Sequence, residues 1–156
     1  MIFYYAPGAC SLAPHIALHQ SGAQFESRRV DLHRGEQTTD EYLAINPKGR
    51  VPVLITEQGT LTENSAILFY ISQLFPLAGL APVNDPFALA KVQEFNNYLA
   101  STVHVAHAHG PRGYRWADDQ AALVAMKAKV PMTMTAGFQL IEDEGLSLGT
   151  SSGVNP

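Results

Sequence analysis

The pattern of apolar and polar positions along the first 80 residues predicts short strands and helices in alternation. A β-prone run opens the chain and ends at Pro7-Gly8, a turn signal, and later apolar runs are separated by glycine, proline and asparagine. The predicted elements include strands within 2–5 and 24–32, a hairpin from 51–55 and 60–62, and a helix at 65–74. A helix of about three turns is predicted between an N-cap at Ser11 and Gly22, and Thr38-Thr39-Asp40 is predicted to cap a short helix that runs through Ile45.

This order, βαβ, then α, then ββα, predicts one small mixed sheet, because a helix between two strands implies a parallel crossover and a hairpin adds antiparallel strands. Beyond it the pattern becomes helical over 86–109 and 119–144. The expected fold class is therefore α/β plus all-α. The expected segments are an α/β domain at 1–78, a linker at 79–86, a partial helical domain at 87–144 and a flexible Gly/Ser-rich tail at 145–156.

The amino-acid composition argues against several classes of function. The 156 residues are 46% hydrophobic and 15% charged with a formal net charge of −4, which is typical of a globular protein and offers no basic field for nucleic acid. No apolar run approaches the roughly 20 residues of a membrane span. A single cysteine excludes an internal disulfide and indicates a reducing, cytoplasmic setting.

Cys10 is the first candidate for chemistry, because it lies between the strand-ending turn and the start of a helix. Unpaired N–H groups and the positive dipole end at that position favour an anion, so a thiol there has a lowered pKa or stabilises a neighbouring thiolate. The alternative is a cysteine that only packs, since cysteine is among the most buried residue types.

Three motifs carry a resemblance to a known family. They are Tyr4-Tyr5-Ala6-Pro7-Gly8-Ala9-Cys10-Ser11-Leu12-Ala13-Pro14-His15, Asn46-Pro47-Lys48-Gly49-Arg50-Val51-Pro52-Val53-Leu54 and Leu61-Thr62-Glu63-Asn64-Ser65-Ala66-Ile67. In this order they closely resemble the glutathione S-transferase family, nearest to its bacterial beta class. The resemblance implies a thioredoxin-like N-terminal domain that binds glutathione, followed by an all-helical domain.

It also implies a set of ligand contacts. The backbone of Val51 would pair with the cysteinyl part of glutathione, and Pro52 would follow a cis peptide bond. Glu63 would accept from the α-ammonium of the γ-glutamyl group, while Asn64 and the N–H groups at Ser65 would hold its α-carboxylate. A plain helix cap at Thr62 or Ser65 is the alternative reading of the last motif.

Cations and catalytic groups complete the expected site. The glycine carboxylate of glutathione needs a cation, and Arg34 and Lys48 are the candidates. Cys10 and Ser11 would donate to the glutathione sulfur. His104 matches a beta-class histidine that faces the sulfur, where it could help set the protonation of the thiol.

Two features of the helical segment have competing explanations. His104, His107 and His109 form His-x-x-His-x-His, but with no further ligand at a supporting spacing no metal site is predicted. Trp116, in a basic and aromatic cluster with Tyr114, either borders a pocket for the second substrate or anchors the interhelical loop.

The expected function is that of a transferase that conjugates glutathione thiolate to small hydrophobic electrophiles, as in detoxification, with thiol–disulfide exchange through Cys10 as a variant. Glutathione would be a co-substrate, and no prosthetic group is implied. The expected partner beyond these ligands is a second copy, with no nucleic acid and no membrane. The alternative is a weak or inactive glutathione-binding module, because nothing after 144 matches the family's buried Ser/Thr-x-x-Asp helix, whose absence would expose apolar helix faces.

Overall fold

The computed structural model describes residues 1–145 and divides the chain into two compact units, Met1–Gln93 and the residues from Glu94 onward. The boundary falls within a helix, later in the chain than the linker predicted at 79–86. The tail predicted at 145–156 lies, apart from the backbone of Gly145, outside the described residues.

The first unit contains one four-stranded sheet. Its strands are β1 (Ile2–Tyr5), β2 (Glu26–Arg29), β3 (Val53–Thr56) and β4 (Gly59–Thr62). They lie in the order β2-β1-β3-β4, with β1 parallel to β2 and antiparallel to β3, and β3 antiparallel to β4. Together with helices α1 (Leu12–Gln20), α2 (Asp40–Ile45) and α3 (Asn64–Leu74), this confirms the predicted mixed, thioredoxin-like arrangement.

Buried side chains that alternate along the strands form two hydrophobic cores, one on each face of the sheet. Phe3 and Leu54 are fully buried in a cluster with Leu18, Ile67 and Ile71, which come from α1 and α3. Their strand neighbours point to the opposite face, as successive strand residues must, and pack with a residue of α2. That second cluster consists of Tyr4, Ala6, Val30, Tyr42, Val51 and Val53. The sheet therefore separates α1 and α3 from α2.

Two predictions for this unit need correction. The second strand is shorter than the predicted 24–32 and covers four charged or polar residues that are all exposed, as suits the edge of a sheet. Ser11 precedes α1, but its side chain caps no N–H group of that helix. By contrast, the cap predicted at Thr38-Thr39-Asp40 is confirmed, since the Thr39 hydroxyl accepts from the N–H of Tyr42 at 3.3 Å.

The structure is also helical beyond residue 86, as the sequence pattern predicts. Helix α4 (Pro86–Tyr98) continues through a π-helical turn at Leu99–Val103 into α5 (His104–Ala108). Helix α6 (Gln120–Leu140) follows, and a π-helical turn at Ile141–Gly145 extends it. The side chains of Val124 and Phe138 on α6 are 60% and 55% exposed. Over residues 1–145, no helix combines the length and apolar character needed to cross a membrane.

Candidate functional site

Cys10 lies in the turn that joins β1 to α1, two residues before the helix begins, and its side chain is exposed. The thiol donates to the backbone carbonyl of Val51 at 3.5 Å, across 41 residues of sequence. The sulfur therefore lies beside the loop that leads into β3. Its position ahead of α1 places it near the positive end of the helix dipole, where a thiolate is favoured.

Ser11 lies inside the turn that carries Cys10. Its side chain is 0% exposed. The hydroxyl oxygen accepts from the Ala6 N–H at 3.1 Å, and the hydroxyl lies 3.2 Å from the Ala6 carbonyl, to which it donates. Both interactions close the turn that carries Cys10. The hydroxyl is thus buried and engaged by backbone, which supports a structural role for Ser11, and its donation to a sulfur stays a prediction.

Side-chain hydrogen bonds hold the backbone of the loop that carries Val51. The Val51–Pro52 peptide bond is cis, as the resemblance implies, and Val51 is buried. Just before it, the Arg50 carbonyl accepts from the Tyr42 hydroxyl and from the Asn46 side-chain amide, each at 2.7 Å. Burial is the main reason that the pKa of Tyr42 rises to about 12, so the phenol remains a donor.

Sequence reasoning missed Tyr42 and Asn46 as parts of this site. Asn46 is 1% exposed, and its side-chain oxygen also accepts from the Lys48 N–H at 3.2 Å. The available signal was the Asn-Pro pair, which indicates a turn but not which backbone group the asparagine holds.

Glu63 ends the β3–β4 hairpin and immediately precedes α3. Its φ of 73° lies in the left-handed region, which non-glycine residues rarely adopt and which often marks functional positions. Its carboxylate accepts from the Lys48 ammonium at 2.6 Å, and the same ammonium donates to the Thr62 hydroxyl at 2.8 Å. Glu63 makes no side-chain cap to α3, so the N–H groups at the start of this 11-residue helix are not taken up by its carboxylate.

Asn64, the first residue of α3, connects the segment around Glu63 to Cys10. Its side-chain amide donates to the Cys10 carbonyl at 2.8 Å, across 54 residues of sequence. One N–H of that amide is therefore engaged by backbone, and the expected binding of an α-carboxylate falls to its second N–H. Ser65 follows at the second position of the helix and is half-buried.

Of the two expected cations, Lys48 is the one that contacts Glu63. Arg34 is paired elsewhere, because its guanidinium lies 3.9 Å from the Asp31 carboxylate and its side chain is 88% exposed. The backbone N–H of Arg34 also donates to that carboxylate at 3.2 Å, and this bond is the main reason that the pKa of Asp31 is lowered.

The second unit holds the remaining sequence candidates. His104 begins α5 and is exposed, and His109 stacks on Trp116 with ring centroids 4.4 Å apart. This stacking supports the interpretation that Trp116 anchors the interhelical loop. Tyr114 instead lines a cleft of about 330 Å³, together with Gly110, Pro111, Gly113, Gln120, Leu123, Val124 and Lys127. Within the described residues, no group of three histidine, cysteine or acidic side chains could hold a metal ion.

Comparisons with known proteins agree with this geometry. Residues 1–73 match the model of the glutathione S-transferase N-terminal domain. The chain is 45% identical over 107 residues to glutathione S-transferase GstA of Escherichia coli O157:H7, covering 67% of this chain and 53% of that protein. A second relative, glutathione S-transferase GST-4.5 of Xanthomonas campestris, is 38% identical over 104 residues, covering 67% of this chain and 50% of that protein. The chain thus spans about half the length of the curated relatives it matches.

Solved structures extend the similarity over both units. A glutathione transferase homolog from Sulfitobacter with bound glutathione is 46% identical, with a TM-score of 0.88 over 92% of this chain and 69% of that one. A beta class glutathione S-transferase from Sphingomonas chungbukensis is 34% identical, with a TM-score of 0.79 over 99% of this chain and 75% of that one.

Proposed function

The chain belongs to the glutathione S-transferase family, and on that premise we propose that it binds glutathione at the Cys10 corner, the site formed by Cys10, Val51, Glu63 and Asn64. There it joins glutathione, through its sulfur, to hydrophobic electrophiles. One observation carries the proposal: the Cys10 thiol contacts Val51 and the Cys10 carbonyl contacts Asn64, so three motifs that are far apart in sequence meet at one residue. Related structures with bound glutathione support the choice of ligand.

Each part of glutathione has a complementary group in this corner. The backbone of Val51 pairs with the cysteinyl segment, as an added strand would. Glu63 receives the α-ammonium, and the first N–H groups of α3, at Asn64 and Ser65, receive the α-carboxylate. Arg34 is the remaining one of the two sequence candidates for the glycine carboxylate, and its 88% exposed side chain is available to a ligand.

The conjugation step needs the glutathione thiolate. The thiol proton leaves to solvent, a sulfur–carbon bond forms at the electrophilic carbon, and the leaving group departs with its electron pair. Cys10 supports the thiolate from the start of α1, and a catalytic role for His104 stays a prediction. Each unit by which the thiol pKa falls toward neutrality raises the thiolate fraction about tenfold, equivalent to about 1.4 kcal/mol.

Thiol–disulfide exchange is the proposed second reaction of the same site. The Cys10 thiolate attacks one sulfur of oxidised glutathione, a Cys10–glutathione disulfide forms, and reduced glutathione leaves as thiolate. Cys10→Ala therefore abolishes exchange and leaves most of the conjugation. We further assign the chain a cytoplasmic location, a role in detoxification and a homodimeric state.

Calorimetric titration with glutathione, paired with turnover of a chlorodinitrobenzene, tests the proposal. Glu63→Gln should weaken glutathione binding at least tenfold, because it removes the charge that faces the ammonium. Glu57→Gln is the matched control, since it makes the same change at an exposed position in the β3–β4 turn, and it should leave binding unchanged.

Intact mass after treatment with oxidised glutathione tests the exchange reaction, with an adduct expected on wild type and none on Cys10→Ala. Binding without turnover would favour a binding module over a transferase. Absence of both binding and adduct would contradict the proposal.

A further inference from the structure

Lys48 lies in a place that the family resemblance does not suggest. Its ammonium is 2.6 Å from a carboxylate oxygen of Glu63 and 2.8 Å from the Thr62 hydroxyl. Lys48 therefore serves the corner that precedes α3, where the γ-glutamyl end of glutathione is proposed to bind, and not the glycine end for which it was a sequence candidate.

The loop that carries Lys48 is anchored in the protein interior. Its N–H donates to the side-chain oxygen of Asn46, which is almost completely buried and also holds the Arg50 carbonyl. A continuous series of contacts thus runs from buried Asn46 through Lys48 to Glu63. Glu63 itself has a 62% exposed side chain, so the contact with Lys48 is a main restraint on its carboxylate.

An exposed ion pair of this kind contributes little to folding, because water and salt screen it and two long side chains must be ordered to form it. Its effect is instead expected in ligand binding. A carboxylate that is already oriented when the ligand arrives saves the ordering of one flexible side chain. Lys48 bonds one carboxylate oxygen, and a carboxylate has a second oxygen with which to accept from an ammonium.

We propose that Lys48 is a positioning residue, which holds the Glu63 carboxylate where it receives the α-ammonium of the γ-glutamyl group. This inference rests on the proposed function and deepens it, because it makes recognition of the zwitterionic end a property of the Lys48–Glu63 pair. Lys48 acts through Glu63 and needs no contact with glutathione.

Titration calorimetry of the full chain with glutathione tests the pair. Lys48→Met should raise the Kd about threefold to tenfold, the range expected for losing the orientation of one side chain. Lys48→Arg should stay within about twofold of wild type, because it can also donate to the carboxylate. Lys129→Met, which removes an exposed lysine from α6, is the matched control and should leave the Kd unchanged.

A double-mutant cycle separates positioning from direct contact. In a Glu63→Gln background, Lys48→Met should cause no further loss, and it should cause none for the glutathione analogue in which glutaryl replaces γ-glutamyl, since that analogue lacks the α-ammonium. In turnover, Lys48→Met should raise KM and leave kcat unchanged.

Three results would overturn the inference: an equal loss in the Glu63→Gln background, tighter binding by Lys48→Met, or disappearance of the Lys48 effect when the ligand is γ-glutamylcysteine, which lacks the glycine carboxylate. Any of these, with intact wild-type binding, would leave the proposed function standing. A wild-type chain that binds no glutathione would contradict the proposed function and the inference together.

Discussion

Replacing Ser11 with alanine tests whether this residue closes the Cys10 turn or serves the sulfur. The change removes a fully buried hydroxyl that accepts from the Ala6 N–H and donates to the Ala6 carbonyl. The carbonyl keeps a partner, because it also accepts from the Ala9 N–H at 3.2 Å. The Ala6 N–H loses its hydroxyl partner, and a buried donor left unpaired costs about 1–3 kcal/mol of unfolding free energy.

Urea unfolding followed by far-ultraviolet circular dichroism measures this cost. With a slope of about 2 kcal/mol per molar urea, a loss of 2 kcal/mol lowers the midpoint by roughly 1 M. Ser21→Ala is the matched control, because its hydroxyl donates to the Leu18 carbonyl, which also accepts from the Ala23 N–H. That control should change stability by less than about 0.5 kcal/mol.

Ser11→Ala should also leave the pH dependence of Cys10 alkylation unchanged, since the hydroxyl is occupied by backbone. A stability loss below about 0.5 kcal/mol, together with a shifted alkylation profile, would refute the structural role and restore Ser11 as a donor to sulfur.

Three further predictions concern the first unit. Gly49→Ala should cost more than Gly8→Ala: both have positive φ, but a Cβ at residue 49 would lie 3.0 Å from the Gln37 carbonyl oxygen, so thermal unfolding should show a larger loss by about 1 kcal/mol or more. Burial, with a smaller contribution from a neighbouring histidine, lowers the pKa of His15 below 6.5, so stability should fall as pH drops below that value, and less so in His15→Phe. The raised pKa of Tyr42 means that stability is lost as pH rises from 10 to about 12, and Tyr42→Phe should flatten that loss in alkaline denaturation.

Most of the fold could be predicted from the local spacing of apolar residues. Strand residues such as Phe3 and Tyr4 alternate between two faces, and Ile67 and Ile71 recur at helical spacing, so short-range periodicity already places them in the core. The edge strand β2 was predicted too long because Val30 and Leu32 also pack in the second core, although they lie outside the strand ladder.

Only those site residues that belong to short sequence motifs could be predicted from the sequence. Cys10, Val51 and Glu63 could be identified from their neighbours in sequence. The partners of Ser11, Lys48 and Asn64 could not, because each depends on where the folded chain brings a second segment: back across the turn to Ala6, onto Glu63, or onto the Cys10 carbonyl. Polar side chains with several possible acceptors leave no periodic signal of which one they use.

The most direct test of the central claim is a glutathione titration of the full chain followed by backbone amide NMR shifts. We expect saturable shifts that are strongly reduced in Glu63→Gln and that are largest at Cys10, Val51, Glu63, Asn64 and Ser65. Saturable shifts centred on other residues, or no shifts at millimolar glutathione, would contradict it.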